Sequence, residues 1–328
     1  MILDSKLTFS HHINEKISKA KKGLGIIILL SRYLSTKDLD LIFKMYIRPH
    51  LDFCDVIYHK PVIANPFDSS INLNYLMNTL ERIQYQAALA ITGAWKGTNF
   101  SKIYEELGWE TLSDRRWSRR LFQFYKIQNS LTPYYLKIPV PPEKTRIAES
   151  RSDKILNEIR WNTNRYKNSF YPDSVHCWNN IGSLLRKSVT LKKFKANILA
   201  LVRPSCNTIF EIHNKVGIKH IYQLRVGLSP LHDHKWKHNF KDISSNKCDI
   251  CNLPETTEHY FLHCTRFENE RRNLFDYIFT LDITNFDQLK SEIKTKLLLY
   301  GDMSFNDLVN KSLIEAAIRF IDDTERFV

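Results

Sequence analysis

Residues 248–264 read CDICNLPETTEHYFLHC and place three cysteines and a histidine in one short stretch. These residues are Cys248, Cys251, His259 and Cys264, with the spacing C-x2-C-x7-H-x4-C. A C-x2-C turn sets two thiolates on one side of a metal, and a second pair completes the tetrahedron that zinc prefers. Because four protein ligands leave no position for water, the stretch predicts a structural zinc site and not a catalytic one.

Two alternatives stay open for this stretch. His263 lies beside Cys264 and gives the spacing H-x3-H with His259, so either residue can supply the fourth ligand. The cysteines can also be ordinary thiols, with His259 on the surface. The seven residues between the two pairs are fewer than the ~12 of a DNA-reading ββα finger. We therefore favour Cys264 and a compact knuckle, a module that more often contacts single-stranded nucleic acid than a duplex.

The chain of 328 residues is strongly basic, with 48 Lys and Arg against 35 Asp and Glu and a net charge of +13. Such an excess favours RNA or DNA as the partner, because their phosphate backbones are polyanions. The alternative is a basic protein whose charge serves solubility alone. With nine glycines, the chain contains no G-x-x-x-x-G-K and no G-x-G-x-x-G phosphate loop.

Targeting signals are missing from the sequence. The apolar run 23–30 is too short to span a bilayer, so no membrane partner is expected. The first 12 residues lack the apolar core of a signal peptide. Six cysteines without such a leader fit a reducing compartment. We expect an intracellular protein of the nucleus or cytoplasm that is not secreted, and the sequence carries no signal for an oligomeric state.

Apolar residues recur at helical spacing along most of the chain, which predicts a mainly α fold. Pro49 is expected to end the second helix, Gly108 to cap the C-terminus of the fourth, and Ser113 to cap the N-terminus of the fifth. Residues 1–9 instead predict a strand and a turn, and the polar, Pro-containing stretch 139–170 predicts a linker. The predicted helices span 11–32, 35–47, 73–91, 101–107, 113–130 and 175–181, with a helical segment from 216 and three more over 266–328.

One predicted helix carries four arginines in two i,i+4 pairs, and guanidinium groups that close repel one another. Anionic phosphate is a natural counterion, so the four are predicted to bind nucleic acid. The alternative is pairing with acids from elsewhere, such as Glu105, Glu106 and Glu110, and spacing alone does not decide between the two. The four arginines are Arg115, Arg116, Arg119 and Arg120.

A second, weaker basic patch lies just before the cysteine cluster and consists of Lys235, Trp236 and Lys237. Positive charge interleaved with an aromatic ring suits contact with the backbone and bases of a single strand. The alternative is a solvated helix face without a ligand. We predict nucleic-acid contacts for all three residues.

No complete catalytic set is present in the sequence. Nucleotidyl transfer needs clustered carboxylates that hold two metals, and Asp52 with Asp55 lacks a third partner. The run Phe320-Ile321-Asp322-Asp323 matches the aromatic-x-Asp-Asp signature of polymerases, which lies on a β-hairpin. Here the preceding residues continue a helical pattern, so we interpret the run as a polar helix end. The chain alone is therefore expected not to be an enzyme.

Several strips, taken in order, resemble the reverse transcriptases of jockey-like non-LTR retrotransposons, transposable elements that encode an RNA-directed DNA polymerase. Residues 3–9 resemble the end of their palm, and 47–53 resemble the strip that follows it. Residues 81–88 with 91–94 resemble the thumb helix, and 114–117 resemble the start of the next helix. Further strips are 170–172, 178–179, 224–229 and the cysteine cluster, which resembles the C-terminal zinc knuckle.

The resemblance implies a C-terminal part of a reverse transcriptase that lacks the catalytic aspartates, since in that family these lie upstream of the opening strip. It implies a mainly α fold: a helical thumb-like bundle with a residual N-terminal palm strand, plus a small C-terminal helical domain with a zinc knuckle. In the family the thumb grips the template–primer duplex and the knuckle helps to engage nucleic acid. The four arginines would take the first role and the cysteine cluster the second.

The resemblance also implies an order of segments along the chain. These are 1–60 (palm end and first thumb helices), 61–138 (thumb-like region with the arginine-rich helix), 139–170 (polar linker), 171–215 (short helical region), 216–268 (helical lead-in and zinc knuckle) and 269–328 (C-terminal helices).

Three functions are compatible with these observations. The first is a nucleic-acid-binding fragment with structural zinc and RNA and/or DNA as its partner. The second is an accessory part of RNA-templated DNA synthesis when another chain supplies the palm, and magnesium is needed only if a complete polymerase is reconstituted. The third is a zinc-supported scaffold for protein interactions.

Overall fold

The computed structural model describes the chain except for residues 6, 59–70, 135–154, 203–211, 282, 284–285, 303 and 328. The described residues are mainly helical, and their extended pairing is limited to isolated bridges such as the one between Lys247 and Pro254. The prediction of a mainly α fold is thereby confirmed. Part of the predicted linker, 139–154, lies outside the described residues.

The helices are numbered here in chain order, and the three helices predicted over 266–328 are confirmed as α14, α15 and α16. None of the described helices is both long enough and apolar enough to cross a bilayer. The first seven are α1 Ser10–Leu30, α2 Thr36–Ile42, α3 Arg48–Asp52, α4 Asp55–Tyr58, α5 Ile71–Thr92, α6 Phe100–Leu107 and α7 Leu112–Gln128. The others are α8 Asn164–Lys167, α9 Phe170–Asn180, α10 Ser183–Arg186, α11 Leu191–Val202, α12 Lys215–Val226, α13 His232–Lys237, α14 Glu268–Phe279, α15 Ser291–Tyr300 and α16 Asp307–Asp323.

Two predicted helix boundaries are wrong for local chemical reasons. Pro49 lies in the first turn of α3 and does not end a helix, since a residue in the first turn has no helical amide bond to lose. Thr111, and not Ser113, is the N-cap of α7, because its side chain accepts a hydrogen bond from the Asp114 amide. Gly108 ends α6 in the left-handed conformation as predicted, with φ 62°.

The prediction of an N-terminal palm strand is wrong, because the described part of residues 1–9 contains no strand. The Asp4 carboxylate accepts hydrogen bonds from the amides of Thr8 (2.9 Å) and Phe9 (2.8 Å), which folds the segment into a turn before α1. A strand needs a neighbour for its backbone donors and acceptors. No strand in the described part of the chain is available to pair with it.

The chain divides into two compact units, each assembled from segments that are separate in sequence. Residues 44–84 and 109–204 therefore fall into one unit, although the sequence analysis assigned them to several consecutive segments. The first unit comprises Met1–Leu24, Lys44–Gln84 and Trp109–Pro204, and the second comprises Gly25–Phe43, Tyr85–Gly108 and Ser205–Val328.

An aromatic core fixes the arginine-rich helix α7 within the first unit. Tyr125 of α7 stacks on Phe194 of α11 with ring centroids 4.5 Å apart. Phe124 of α7 meets Trp178 of α9 edge-on at 5.7 Å. All four side chains are buried, so α7 has its position set by apolar packing on α9 and α11.

The second unit has a core that includes part of the cysteine-rich stretch. Tyr260 lies 5.2 Å from Phe320 of α16 and 5.4 Å from Phe267, measured between ring centroids. Its hydroxyl is hydrogen bonded to that of Thr324 at 2.5 Å. Because Tyr260 follows His259 directly, the packing of this core also positions the candidate metal ligands.

Candidate metal centre

Cys248, Cys251, His259 and Cys264 come together in the second unit, with one ligand atom from each lying within 4.8 Å of the others. The Sγ of Cys264 is 3.8 Å from that of Cys248 and 3.8 Å from that of Cys251. Zinc–sulfur bonds of about 2.3 Å at tetrahedral angles place sulfur atoms about 3.8 Å apart. The four residues therefore form a group that can hold a metal ion such as zinc.

A tight turn presents the first pair of ligands. The Cys248 amide donates to the Leu253 carbonyl at 2.8 Å, and the Asn252 amide donates to the Cys248 carbonyl at 3.0 Å. Asn252 adopts a left-handed conformation with φ 54°, which asparagine tolerates better than most residues. This closed loop directs the side chains of Cys248 and Cys251 to the same side, as the C-x2-C spacing predicted.

The second pair is set by one turn of π-helix, His259–His263, after which the Cys264 amide donates back to the His259 carbonyl at 2.8 Å. His259 is only 5% exposed, and its buried Nε2 has no hydrogen-bond partner among the described residues. An unpaired buried nitrogen is costly unless something else binds it. A metal ion shared with the three thiols would supply that partner, so the four residues are suited to binding a metal ion.

The choice between Cys264 and His263 is decided by their positions. Cys264 is 1% exposed and belongs to the group of four. The His263 side chain is 49% exposed, and its Nε2 lies 3.4 Å from a carboxylate oxygen of Glu258. His263 therefore faces solvent, and Cys264 is the fourth residue of the group.

The pKa shifts of the group come from burial and from one local hydrogen bond. Burial raises the pKa of the Cys264 thiol to about 12, whereas a hydrogen bond with the Thr265 hydroxyl lowers the pKa of Cys251. Burial lowers the pKa of His259, which favours the neutral ring that a metal requires. A divalent ion would deprotonate all three thiols, including the buried one. The group would then serve as a structural cross-link.

Sequence reasoning missed the side chains that hold this centre in place. Arg271 of α14 donates to the carbonyl of Phe261 at 3.0 Å and also to that of Cys264. Glu255, inside the cysteine-rich stretch, pairs with Arg326 at 2.7 Å. Arg326 is 71 positions away in sequence, so no local pattern could have revealed this pair.

Helix α13, which carries the second basic patch, is fastened to the cysteine-rich stretch. The His232 amide donates to the Glu255 carboxylate at 2.7 Å, and its ring Nδ1 donates to the Lys247 carbonyl at 2.7 Å. The ring of His234 is hydrogen bonded to the Thr257 hydroxyl at 3.3 Å. The metal group and this basic helix therefore form one local structure.

The patch itself points outward from α13. Trp236 is 49% exposed, which is high for an indole. Lys235 pairs with Asp242 at 2.7 Å, and Lys237 pairs with Asp233 at 2.6 Å with its side chain 65% exposed. The nucleic-acid contacts assigned to Lys235, Trp236 and Lys237 stay predictions; Trp236 and Lys237 are accessible to a ligand, whereas the Lys235 side chain is 21% exposed.

The arginines of α7 have a different environment in the first unit. Arg115 is 4% exposed, and its Nη1 lies 3.2 Å from an oxygen of Asp52. Its Nη2 also donates to Gln84 at 2.5 Å. The Arg119 Nη1 lies 3.3 Å from Asp52 and 3.3 Å from Asp55, and its side chain is 39% exposed. The alternative of pairing with acids from elsewhere therefore describes these two arginines.

The other two arginines are buried as well. Arg120 is 1% exposed and pairs with Asp173 of α9. Arg116 is 2% exposed and contacts the Met77 sulfur and the Leu51 carbonyl. Buried guanidinium groups offer no surface to a phosphate backbone. We therefore withdraw Arg115, Arg116 and Arg120 from the nucleic-acid interface and retain only a partial exposure for Arg119.

The carboxylates considered for catalysis are also accounted for. Asp52 and Asp55 take part in the arginine network just described. Asp322 and Asp323 end α16, as the helical reading predicted, and Asp322 accepts a hydrogen bond from Asn214 at 2.8 Å. In the described part of the chain, neither pair belongs to a cluster of acidic side chains that could hold the two metals of nucleotidyl transfer.

Comparisons with known proteins add no family to this picture. No protein-family model matches the chain, no curated protein matches it, and no solved structure matches it. The resemblance to retrotransposon reverse transcriptases therefore rests on the sequence strips alone.

Proposed function

We propose that the chain binds RNA or DNA through the second unit, in which a structural metal ion holds a basic, aromatic helix at the surface. The observation that carries this proposal is the attachment of α13 to the metal group through His232 and His234. The helix leaves Trp236 about half exposed, at 49%, between two lysines. Exposed indole and ammonium groups are the usual means of contacting bases and phosphates of a single strand.

The net charge of +13 supports the proposal, because it attracts the anionic backbone of RNA or DNA. Each phosphate that a lysine or arginine neutralises releases condensed counterions, so binding by this mechanism weakens steeply as salt rises. Burial removes Arg115, Arg116 and Arg120 of α7 from this electrostatic contribution, since a cation that phosphate cannot reach releases no counterions. The surface of the second unit is then the better candidate for contact with nucleic acid.

On origin, we infer that the chain is a C-terminal part of a non-LTR retrotransposon reverse transcriptase and acts on nucleic acid without polymerising by itself. The order of the resembling strips supports this inference. A role in RNA-templated DNA synthesis would then require a palm in addition to these residues, together with magnesium bound by that palm.

The test is fluorescence anisotropy of the purified full chain with a labelled single-stranded RNA and a matching primer–template duplex, over a salt series. We expect binding at low salt that weakens as the salt concentration rises, with the single strand preferred. A parallel series after treatment with a strong chelator should lose affinity, because α13 loses its support. Binding that is absent at low salt, or insensitive to salt, contradicts the proposal.

A second function, a protein-interaction scaffold, has one observation in its favour. Ile250 and Leu253 are 63% and 55% exposed on the turn that carries the first two cysteines. Exposed aliphatic side chains of this kind are suited to a protein partner. A complex with a protein that persists when excess RNA is added would support this function over nucleic-acid binding.

A further inference from the structure

A pocket of about 450 Å³ opens in the second unit, where the start of α6, the end of α12 and helix α13 meet. Lys102 of α6, Lys237 at the end of α13 and the adjacent His238 line it, and no carboxylate is among its described lining residues. Its volume lies within the range of about 300–1,000 Å³ that is usual for small-molecule sites. The pocket is distinct from the metal group and shares Lys237 with the basic patch predicted from the sequence.

The charges around the pocket are only partly neutralised. The Lys102 ammonium donates to the Val226 carbonyl at 3.2 Å, and no ion pair of Lys102 is present in the described part of the chain. Lys237 is paired with Asp233 at 2.6 Å. The His238 Nε2 donates to the Gly227 carbonyl at 3.2 Å, so Nδ1 of the neutral ring is an acceptor that can take a hydrogen bond from a monoprotonated phosphate. The lining therefore attracts an anion.

The walls of the pocket are held in place before any ligand arrives. Arg225 of α12 pairs with Glu106 of α6 at 2.6 Å and donates to the Leu299 carbonyl at 2.8 Å. Both charged side chains are almost completely buried, and a buried pair of this kind fixes the two helices relative to each other. His234, a third wall, is hydrogen bonded to Ser229 at 2.8 Å. Such preorganisation reduces the entropic cost of binding.

The composition of the lining argues against a bare inorganic anion. Val226 and Leu228 give the pocket an apolar wall in addition to its cationic groups. Nearby, the rings of Trp95 and Phe240 lie 5.3 Å apart, and Thr98 of the lining donates to the Trp95 carbonyl at 2.7 Å. A ligand that combines an anionic group with a flat, weakly polar group matches both parts.

We propose that this pocket binds one nucleotide unit, with its phosphate beside Lys102 and His238 and its base or sugar against the wall of Val226 and Leu228. The choice of a nucleotide among phosphate-bearing ligands rests on the proposed function. In a bound single strand, this unit would continue the path of the chain from α13, since Lys237 belongs to both surfaces.

Calorimetric titration of the full chain tests the assignment with three probes: 5′-AMP, ribose 5-phosphate and inorganic phosphate. We expect 5′-AMP to bind most tightly, because it alone offers both a phosphate and a base. Lys102→Gln should weaken 5′-AMP binding about tenfold, as expected for loss of one charge-assisted contact. Lys37→Gln is the matched control, because Lys37 is an exposed helical lysine of the same unit that does not line the pocket.

The assignment is overturned if 5′-AMP gives no heat of binding at millimolar concentration, or if wild type and Lys102→Gln bind it equally well. Equal binding of all three probes would also reject it, since an anion site alone would then explain the data. Failure of the pocket is separable from failure of the proposed function. An RNA that still binds in the salt series while 5′-AMP does not leaves the function standing without this site.

Discussion

Helix α7 of the first unit and helix α13 of the second both carry basic side chains, and the two helices differ in how far those side chains reach solvent. In α7, three of the four arginines are at most 4% exposed, and Arg115 and Arg120 are paired with carboxylates. In α13, Trp236 is 49% exposed, and the Lys237 side chain is 65% exposed. The denser charge is thus the less accessible one.

The difference teaches that the fate of a basic helix depends on what packs against it. Removing a cation from water costs several kcal/mol unless a partner and hydrogen bonds compensate for it. Asp52, Asp55 and Asp173 supply that compensation to α7 from three other elements. In helix α13, Lys235 and Lys237 are also paired with carboxylates, but the Lys237 side chain stays 65% exposed. The first helix is therefore structural, and the second is available to a ligand.

Loss of the metal should have the largest effect, because it removes the support of α13 altogether. Structural zinc contributes about 10–16 kcal/mol to the folding of zinc-finger peptides at pH 7. We expect Cys248→Ser to lose the metal and to unfold the second unit. Metal content by mass spectrometry and thermal unfolding by circular dichroism measure this. His263→Gln is the control and should keep one metal per chain; retention of the metal by Cys248→Ser would refute the ligand assignment.

Arg115→Ala tests whether α7 is structural. The variant should lower the free energy of unfolding by about 3 kcal/mol, near the low end for a broken buried pair, because Asp52 keeps Arg119 as a partner. Urea denaturation measures the loss, and Arg119→Ala, with its side chain 39% exposed, should lose less. RNA affinity of the folded variant should match wild type. A loss of RNA affinity at unchanged stability would instead return α7 to the interface.

The pH dependence of the first unit follows from Asp55. Burial raises its pKa from 3.8 to about 6 despite the opposing charge of Arg119. The folded state then holds this proton more tightly than the unfolded state, so the contribution of Asp55 to stability is complete below 3.8 and is lost as pH rises through about 6. The loss amounts to about 3 kcal/mol at one pKa unit per 1.36 kcal/mol.

Asp55→Asn isolates this term, because the amide cannot titrate. As pH rises from 3.8 through about 6, the unfolding free energy of the wild type should fall relative to that of the variant. Urea denaturation at a series of pH values measures it. A difference that stays constant with pH would show that Asp55 does not titrate in this range.

Trp236→Ala should have the smallest effect, and it acts on affinity alone. Base–aromatic stacking contributes about 1–3 kcal/mol per base, so single-stranded RNA should bind about tenfold more weakly. Stability should change little, since the side chain is 49% exposed. Tyr33→Ala is a matched control in the same unit, with an aromatic side chain that is 76% exposed. Equal losses for both variants would contradict a specific role of Trp236.

The sequence predicted those features of the structure that depend on a few neighbouring residues. The grouping of the four candidate metal ligands, the left-handed Gly108 after α6 and the helical context of Asp322 and Asp323 each follow from spacing or from backbone preference. The N-terminal strand was not readable in the same way, because a strand depends on a neighbour elsewhere in the chain. Asp4 and its two hydrogen bonds make a turn there instead.

What the sequence alone determined is the mainly helical class and the group of residues that can hold a metal, because helical periodicity and ligand spacing are local properties. Only the tertiary structure decided which basic residues reach solvent. Arg115 meets Asp52 across 63 positions, and Arg225 meets Glu106 across 119. Pairs so distant in sequence leave no periodic signal, yet they determine whether a charge is buried in a salt bridge or left at the surface for a ligand.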